Sequence, residues 1–172
     1  MSRPTPLLAE PAELPDSAGC YALIIDLQHP LRVLRPRAKQ GGKGAGLAPE
    51  LSLQLPPGRY VYGGSARGPG GIRSRVLRHL RQDKRRHWHI DQLTCIAGVT
   101  ALWAGMSLTE CDIVARMAAL PDASIPIPGF GSSDCRRCRS HLVALSPDTE
   151  IEDIFRKLAD GLTWISTEAI RP

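Results

Sequence analysis

Gly19-Cys20-Tyr21-Ala22-Leu23-Ile24-Ile25-Asp26-Leu27 and Arg59-Tyr60-Val61-Tyr62-Gly63-Gly64-Ser65 decide how the chain reads. The run from Tyr21 to Leu27 is apolar and partly β-branched, the signature of a buried strand. The three tyrosines of the chain, Tyr21, Tyr60 and Tyr62, all fall in these two segments. Between them His29-Pro30 marks a turn, and LRVLRP (31–36) is expected to be the partner strand of the first segment. Residues 38–49, AKQGGKGAGLAP, are glycine-rich and basic, and read as a loop. LSLQL (51–55) alternates apolar and polar, Pro56-Pro57-Gly58 breaks it, and a strand resumes at Arg59. The opening third is thus predicted to be a small antiparallel sheet.

Working outward, the loop ARGPGG (66–71) feeds IRSRVLRHLRQ (72–82), which has helical periodicity. Ile72, Val76 and Leu80 share its apolar face, with Arg75 and His79 one turn apart along the edge of that face. Arg78 and Arg81 are expected to point away, toward solvent. HWHIDQL (87–93) reads as a short helix, Val99–Trp103 as a strand, and the segment after Ser107 as a second clear helix. Residues 121–138 form a long loop before the short strand HLVAL (141–145), and the tail from Glu150 reads as a helix and then a strand ending in TWIS. Upstream, residues 1–18 are rich in proline and small residues and are expected to be a poorly ordered leader. The prediction is one α/β (α+β) domain over 19–172, a small central antiparallel β-sheet flanked by helices.

Composition limits the function classes. With 172 residues, 42% of them hydrophobic and 23% charged, the chain suits one soluble globular domain. No apolar run approaches the roughly 18 residues of a membrane helix. Proline stands where an export signal would have its apolar core, so a cytoplasmic location is expected. Net charge is +5. Between Arg67 and His89 the basic residues Arg67, Arg73, Arg75, Arg78, Arg81, Lys84, Arg85 and Arg86 face a single acid, Asp83. Such a patch suits a phosphate backbone, and it equally suits a solvated helix face. The five cysteines, odd in number and without an export signal, read as thiols or metal ligands rather than disulfides. Cys135-Arg136-Arg137-Cys138-Arg139-Ser140-His141 has zinc-knuckle spacing, for which Cys111 would be a fourth ligand; unliganded thiols are the alternative. Arg136, Arg137 and Arg139 add a second basic spot.

Five elements in order resemble the GIY-YIG endonuclease superfamily: Gly19-Cys20-Tyr21, Tyr62-Gly63-Gly64, Arg75, His79 and Glu110. The resemblance runs from about Gly19 to Leu120. The strings YVYGGSARGPGG, HWHID, TECDIVARMA and PGFGSSDCRRCRSHL are similar to an uncharacterised branch of that superfamily, found in bacteria and archaea alone or fused to DNA-repair enzymes. The resemblance implies the two tripeptides on adjacent strands and metal-dependent hydrolysis of DNA phosphodiesters, with DNA and a repair protein as partners. It further implies Tyr62 or Tyr21 as the base, Arg75 as phosphate clamp, His79 assisting proton transfer, and Glu110 holding one Mg²⁺ or Mn²⁺. The chain departs from the pattern in the middle residues, Cys20 and Gly63, in a longer 66–71 loop, and in having no asparagine.

The chemistry asks for the same groups. Phosphodiester hydrolysis needs a water activated and charge on the phosphate stabilised. A tyrosine serves as base only if positive charge lowers its pKa from about 10. Arg75 would supply that charge, and its planar fork fits two phosphate oxygens. Each residue also has a plainer reading. Strand tyrosines commonly pack, Glu110 would complete a capping box with Ser107, and His87 with Asp91 would form a local network at a helix start. Trp88 would anchor the core or stack on a base. Two further readings of the whole chain remain open: a nucleic-acid-binding module without turnover, and a zinc-stabilised interaction domain.

Overall fold

The computed structural model describes residues 14–34, 52–158 and 163–166. The predicted loop at 38–49 and the first 13 residues of the predicted leader lie outside them. The strands are β1 (Gly19–Leu27), β2 (Leu31–Leu34), β3 (Ser52–Leu55), β4 (Gly58–Ala66), β5 (Ala101–Gly105), β6 (Leu142–Ala144) and β7 (Thr163–Ser166). The helices are α1 (Gly71–Leu80), α2 (Asp91–Thr94), α3 (Glu110–Ala118) and α4 (Ile151–Leu158). Five strands form one antiparallel sheet in the order β6-β4-β1-β5-β7. The α+β class and the central antiparallel sheet flanked by helices are as expected from sequence.

The central position of β1 explains its unbroken apolar run, because it is covered on both faces. Tyr21, Leu23, Ile25 and Leu27 point into a core shared with Ile72 and Val76 of α1 and Leu93 of α2. Cys20, Ala22 and Ile24 point the other way, into a core with Trp103, with Ile113 and Met117 of α3, and with Ile154 and Leu158 of α4. The result is three layers, helices on both sides of one sheet. Truncating a fully buried member of either core, such as Ile72, removes about 2–5 kcal/mol of stability.

Three local expectations are corrected. LRVL does not pair with β1. It pairs with β3 as a separate two-stranded ribbon, Leu31 opposite Leu55. In the sheet β1 takes β4 as partner along its whole length on one edge and β5 from Cys20 to Ile24 on the other. The end of the predicted leader is docked: Leu14 is buried, and the Ile72 and Arg73 amides donate to the Ser17 and Pro15 carbonyls at 3.0 Å each. α1 has no side-chain cap, and these carbonyls take over two of its first amides. Third, Arg78 does not point to solvent. Its guanidinium donates to both oxygens of the buried Asp91 at 3.0 Å.

Candidate active site

Tyr21 and Tyr62 reach the same face of the sheet because their strands alternate in register, with Tyr21 opposite Gly64 and Leu23 opposite Tyr62. The two glycines after Tyr62 serve opposite faces. A Cβ at Gly64 would collide with the Tyr21 ring, which lies over that glycine. A Cβ at Gly63 would stand 2.9 Å from the Glu110 carbonyl oxygen and 3.1 Å from Val114 Cγ2, so its absence lets the first turn of α3 press against β4. Read from sequence, Gly63 only weakens a strand; here it is what brings Glu110 to the sheet. Pairing of β4 with β6 ends at Tyr62 and Leu142, and the Gly63 amide donates to the His141 carbonyl at 3.0 Å.

At this corner lies a cleft of about 710 Å³. Tyr21, Tyr62, Arg75, His79 and Glu110 all line it, together with Arg67, Trp88, Arg136, Arg137 and His141. The five residues singled out by sequence, spread over some ninety positions, therefore face one space.

Their hydrogen bonding is ordered. Tyr21 Oη lies 2.9 Å from His79 Nε2, and His79 Nδ1 faces the Asp91 carboxylate at 3.6 Å, a charge contact longer than a hydrogen bond. Burial lowers the pKa of His79, so its ring is neutral at neutral pH. With a carboxylate facing Nδ1, the proton belongs on Nδ1 and Nε2 accepts from the Tyr21 hydroxyl. Asp91 itself is fully buried. Burial alone would raise its pKa, but His79, the Arg78 guanidinium and the amides of His87 and Trp88 outweigh that and hold it well below the usual carboxylate range. His87 and Asp91 thus do form the local network, through the His87 amide rather than its ring. Lys84 closes the network, donating to the His79 carbonyl at 2.9 Å and to Thr94 Oγ1 at 2.8 Å.

The tyrosines are not the acidic phenols that base chemistry at neutral pH requires. Burial raises Tyr21 well above its ordinary value and Tyr62 to about 12; Arg75 pulls both down, by less. Desolvation of two tyrosines that are 3% and 7% exposed outweighs one guanidinium nearby. Arg75 lies with its Cζ 4.1 Å from the Trp88 ring centre, and Arg78 lies 4.2 Å from the same centre. The indole that would have stacked on a base is engaged by these cations and packed against the core.

Glu110 is free of the cap that would have explained it away. The capping box of α3 uses Thr109 and Asp112: the Asp112 amide donates to Thr109 Oγ1, and Asp112 Oδ2 accepts from the Thr109 amide at 2.9 Å. Helix α3 begins two residues later than the Ser107 reading requires. The Glu110 carboxylate instead turns to the cleft, 3.8 Å from Arg67.

The predicted basic patch divides. Arg78 and Lys84 are consumed by Asp91 and its surroundings, and Arg73 pairs with Asp16 at 3.8 Å. Arg81, Arg85 and Arg86 are exposed. Arg67, Arg75, Arg136 and Arg137 border the cleft, which joins the two basic spots that are separate in sequence. Across the cleft wall, Cys111, Cys135, Cys138 and His141 place four ligand atoms within 4.8 Å of one another, a cluster able to hold a metal ion such as zinc. Burial works against a Cys135 thiolate, but the Cys138 and Arg137 amides and the His141 and Cys111 side chains bring its pKa down to about 6.

What sequence reading missed is the tie between the two helices. His79 and Asp91 are twelve positions apart, on α1 and α2, and no periodicity joins them. The available signal was an aspartate just past the basic segment, following two histidines.

The fold and the cleft define a class: a three-layer domain whose sheet corner carries a tyrosine–histidine–carboxylate chain beside a half-buried acid and arginines. The chain belongs to the family described as a domain of unknown function, DUF123, which matches residues 20–164. No curated protein and no solved structure matches it significantly. Among the described residues, no helix is long and apolar enough to cross a membrane.

Proposed function

We propose that this domain is a metal-dependent endonuclease of the GIY-YIG type that hydrolyses phosphodiesters of DNA. The observation that carries the reading is the convergence of Tyr21, Tyr62, Arg75, His79 and Glu110 on one cleft rimmed by arginines. Arg75 and Arg67 bind the phosphate oxygens. Tyr21 is the base: its hydroxyl takes the proton of the attacking water as its own proton passes to His79 Nε2, 2.9 Å away. That handover avoids a free phenolate, which burial disfavours. The charge that develops on His79 is answered by Asp91, so Asp91 is a positioning residue. Tyr62, with no such acceptor among its described hydrogen bonds, orients the phosphate. Glu110, uncommitted to its helix cap and facing the cleft, fits as the protein ligand of one Mg²⁺ or Mn²⁺. When bound, that ion would stabilise negative charge on the phosphate.

Cleavage of labelled single-stranded, duplex, flap and junction DNA with Mg²⁺ or Mn²⁺ tests the proposal. Wild type should cut at least one substrate. Tyr21→Phe, Arg75→Ala and Glu110→Ala should each lose at least about 100-fold in rate, the scale of a lost acid–base group. DNA binding without cutting on every substrate and with both metals would replace the enzyme with a binding module of the same fold.

A further inference from the structure

Outside the tyrosine–histidine chain, the most concentrated reactive chemistry in the molecule is the cysteine cluster. Cys111 is the second residue of α3, Cys135 and Cys138 lie in the turn before β6, and His141 stands immediately before that strand. Chain positions thirty residues apart are thus drawn to one point. Cys111 Sγ and Cys135 Sγ are 3.5 Å apart, and all four ligand atoms fit within 4.8 Å. Thiolates about 2.3 Å from a tetrahedral zinc stand about 3.8 Å from each other, so the cluster already has the right size.

Two further features point to a cation at its centre. The amides of Arg137 and Cys138 donate to Cys135 Sγ at 3.4 and 3.3 Å, so the turn is folded around that sulfur as around an anion. His141 is buried, and its Nε2 makes no hydrogen bond of good geometry, with the Cys135 thiol beside its ring. A buried ring nitrogen without a good hydrogen bond is costly, and a metal bond is one of the few arrangements that satisfies it. The backbone of His141 is fixed on both sides, accepting from the Gly63 amide and donating to the Phe130 carbonyl at 2.8 Å, which holds its Cα beside the three sulfurs.

We propose that Cys111, Cys135, Cys138 and His141 bind one structural Zn²⁺, which clamps the 135–138 turn to the first turn of α3. Three sulfurs and one imidazole select zinc over Mg²⁺, which takes oxygen ligands. Four protein ligands close the coordination sphere, leaving no place for water, so this ion is structural and distinct from one held by Glu110. Its location gives it a consequence for the cleft. Cys111 follows Glu110 directly, and Cys135 precedes Arg136 and Arg137, all of which border that space apart from Cys111. The zinc therefore fixes the distance between the acid and the two arginines.

Metal content of the purified full chain, by elemental analysis, tests the site without reference to nuclease activity. Wild type and Cys95→Ser, whose cysteine lies outside the cluster, should carry one zinc per chain. Cys135→Ser and Cys138→Ser should hold zinc at least about tenfold more weakly against a competing chelator. Cobalt-loaded wild type should show thiolate-to-metal charge transfer and intense tetrahedral bands. Should the serine variants not fold, stripping zinc from wild type with a strong chelator provides the second measurement: the melting temperature should drop, and recover with Zn²⁺ but not with Mg²⁺. Folded wild type that takes up no zinc and shows no cobalt–thiolate band would overturn the proposal, as would a Cys111–Cys135 disulfide in the native protein. Failure of the zinc site leaves the cleavage assay to be judged separately.

Discussion

Asp91 concentrates at one residue most of what holds the cleft together. A fully buried carboxylate is tolerable only when its charge is answered, and here Arg78, Lys84, His79 and two amides answer it. Replacing it by asparagine leaves the Arg78 guanidinium and the Lys84 ammonium without their counter-charge. Asp91→Asn should cost about 3 kcal/mol of unfolding free energy, in the range for breaking a buried pair. Urea titration measures it, and a loss under about 1 kcal/mol would show that the network does not hold the segment. The same site sets a pH dependence. The pKa values of His79 and His89 are lowered by burial, so below about 6.5 the unfolded chain binds protons that the folded chain refuses. Their contribution is fully present above the unfolded value and is lost as pH falls toward the folded one. Stability should therefore decline from pH 7 to pH 5. A His79→Gln/His89→Gln variant should show a flatter decline over that window in denaturant midpoints, and an unchanged slope would assign the effect elsewhere.

Among the elements, α3 and the strand it leans on show where a sequence is legible and where it is not. The apolar run of β1, the helical stripe of α1 and the residue types of α3 announce themselves by local spacing, and each element formed within a few positions of its reading. Partnership does not announce itself in that way. LRVL has a strand pattern, yet its partner depends on whether β4 and β5 have occupied β1, which is a property of the assembled sheet. The cap of α3 falls at Thr109 rather than Ser107, since either residue satisfies the local rule, and the first turn so placed packs against Gly63. Five site residues were legible as types in order; the link from His79 to Asp91 was not, since it spans two helices. Gly63 carries the test at this scale. Its missing Cβ would meet a backbone oxygen 2.9 Å away, which cannot rotate aside. Gly63→Ala should destabilise by about 1–3 kcal/mol, the cost of overpacking, and lower the melting temperature accordingly. An unchanged melting temperature would mean that α3 shifts freely, and with it Glu110.

For the molecule as a whole, net charge predicts binding to a polyanion less well than the location of the charges does. The chain carries +5, but a guanidinium already pairing with Asp91 releases no counterion when a nucleic acid arrives. The fold divides the basic residues into those that hold the structure, Arg78 and Lys84, and those that border the cleft, Arg67, Arg75, Arg136 and Arg137. The second group comes from three separate stretches of chain, so its field converges only when the domain is folded. If the cleft receives a phosphodiester backbone, Arg136→Gln/Arg137→Gln should reduce DNA affinity and flatten the dependence of log K on log salt, by about one for each phosphate left unneutralised. Arg81→Gln/Arg85→Gln removes equal charge from exposed positions outside the cleft lining. That pair should weaken binding far less at the same ionic strength. Fluorescence anisotropy across a salt series compares the two variants directly. Equal losses would show attraction by overall charge alone, and a larger loss for the Arg81 and Arg85 pair would place the nucleic acid on the segment between α1 and α2.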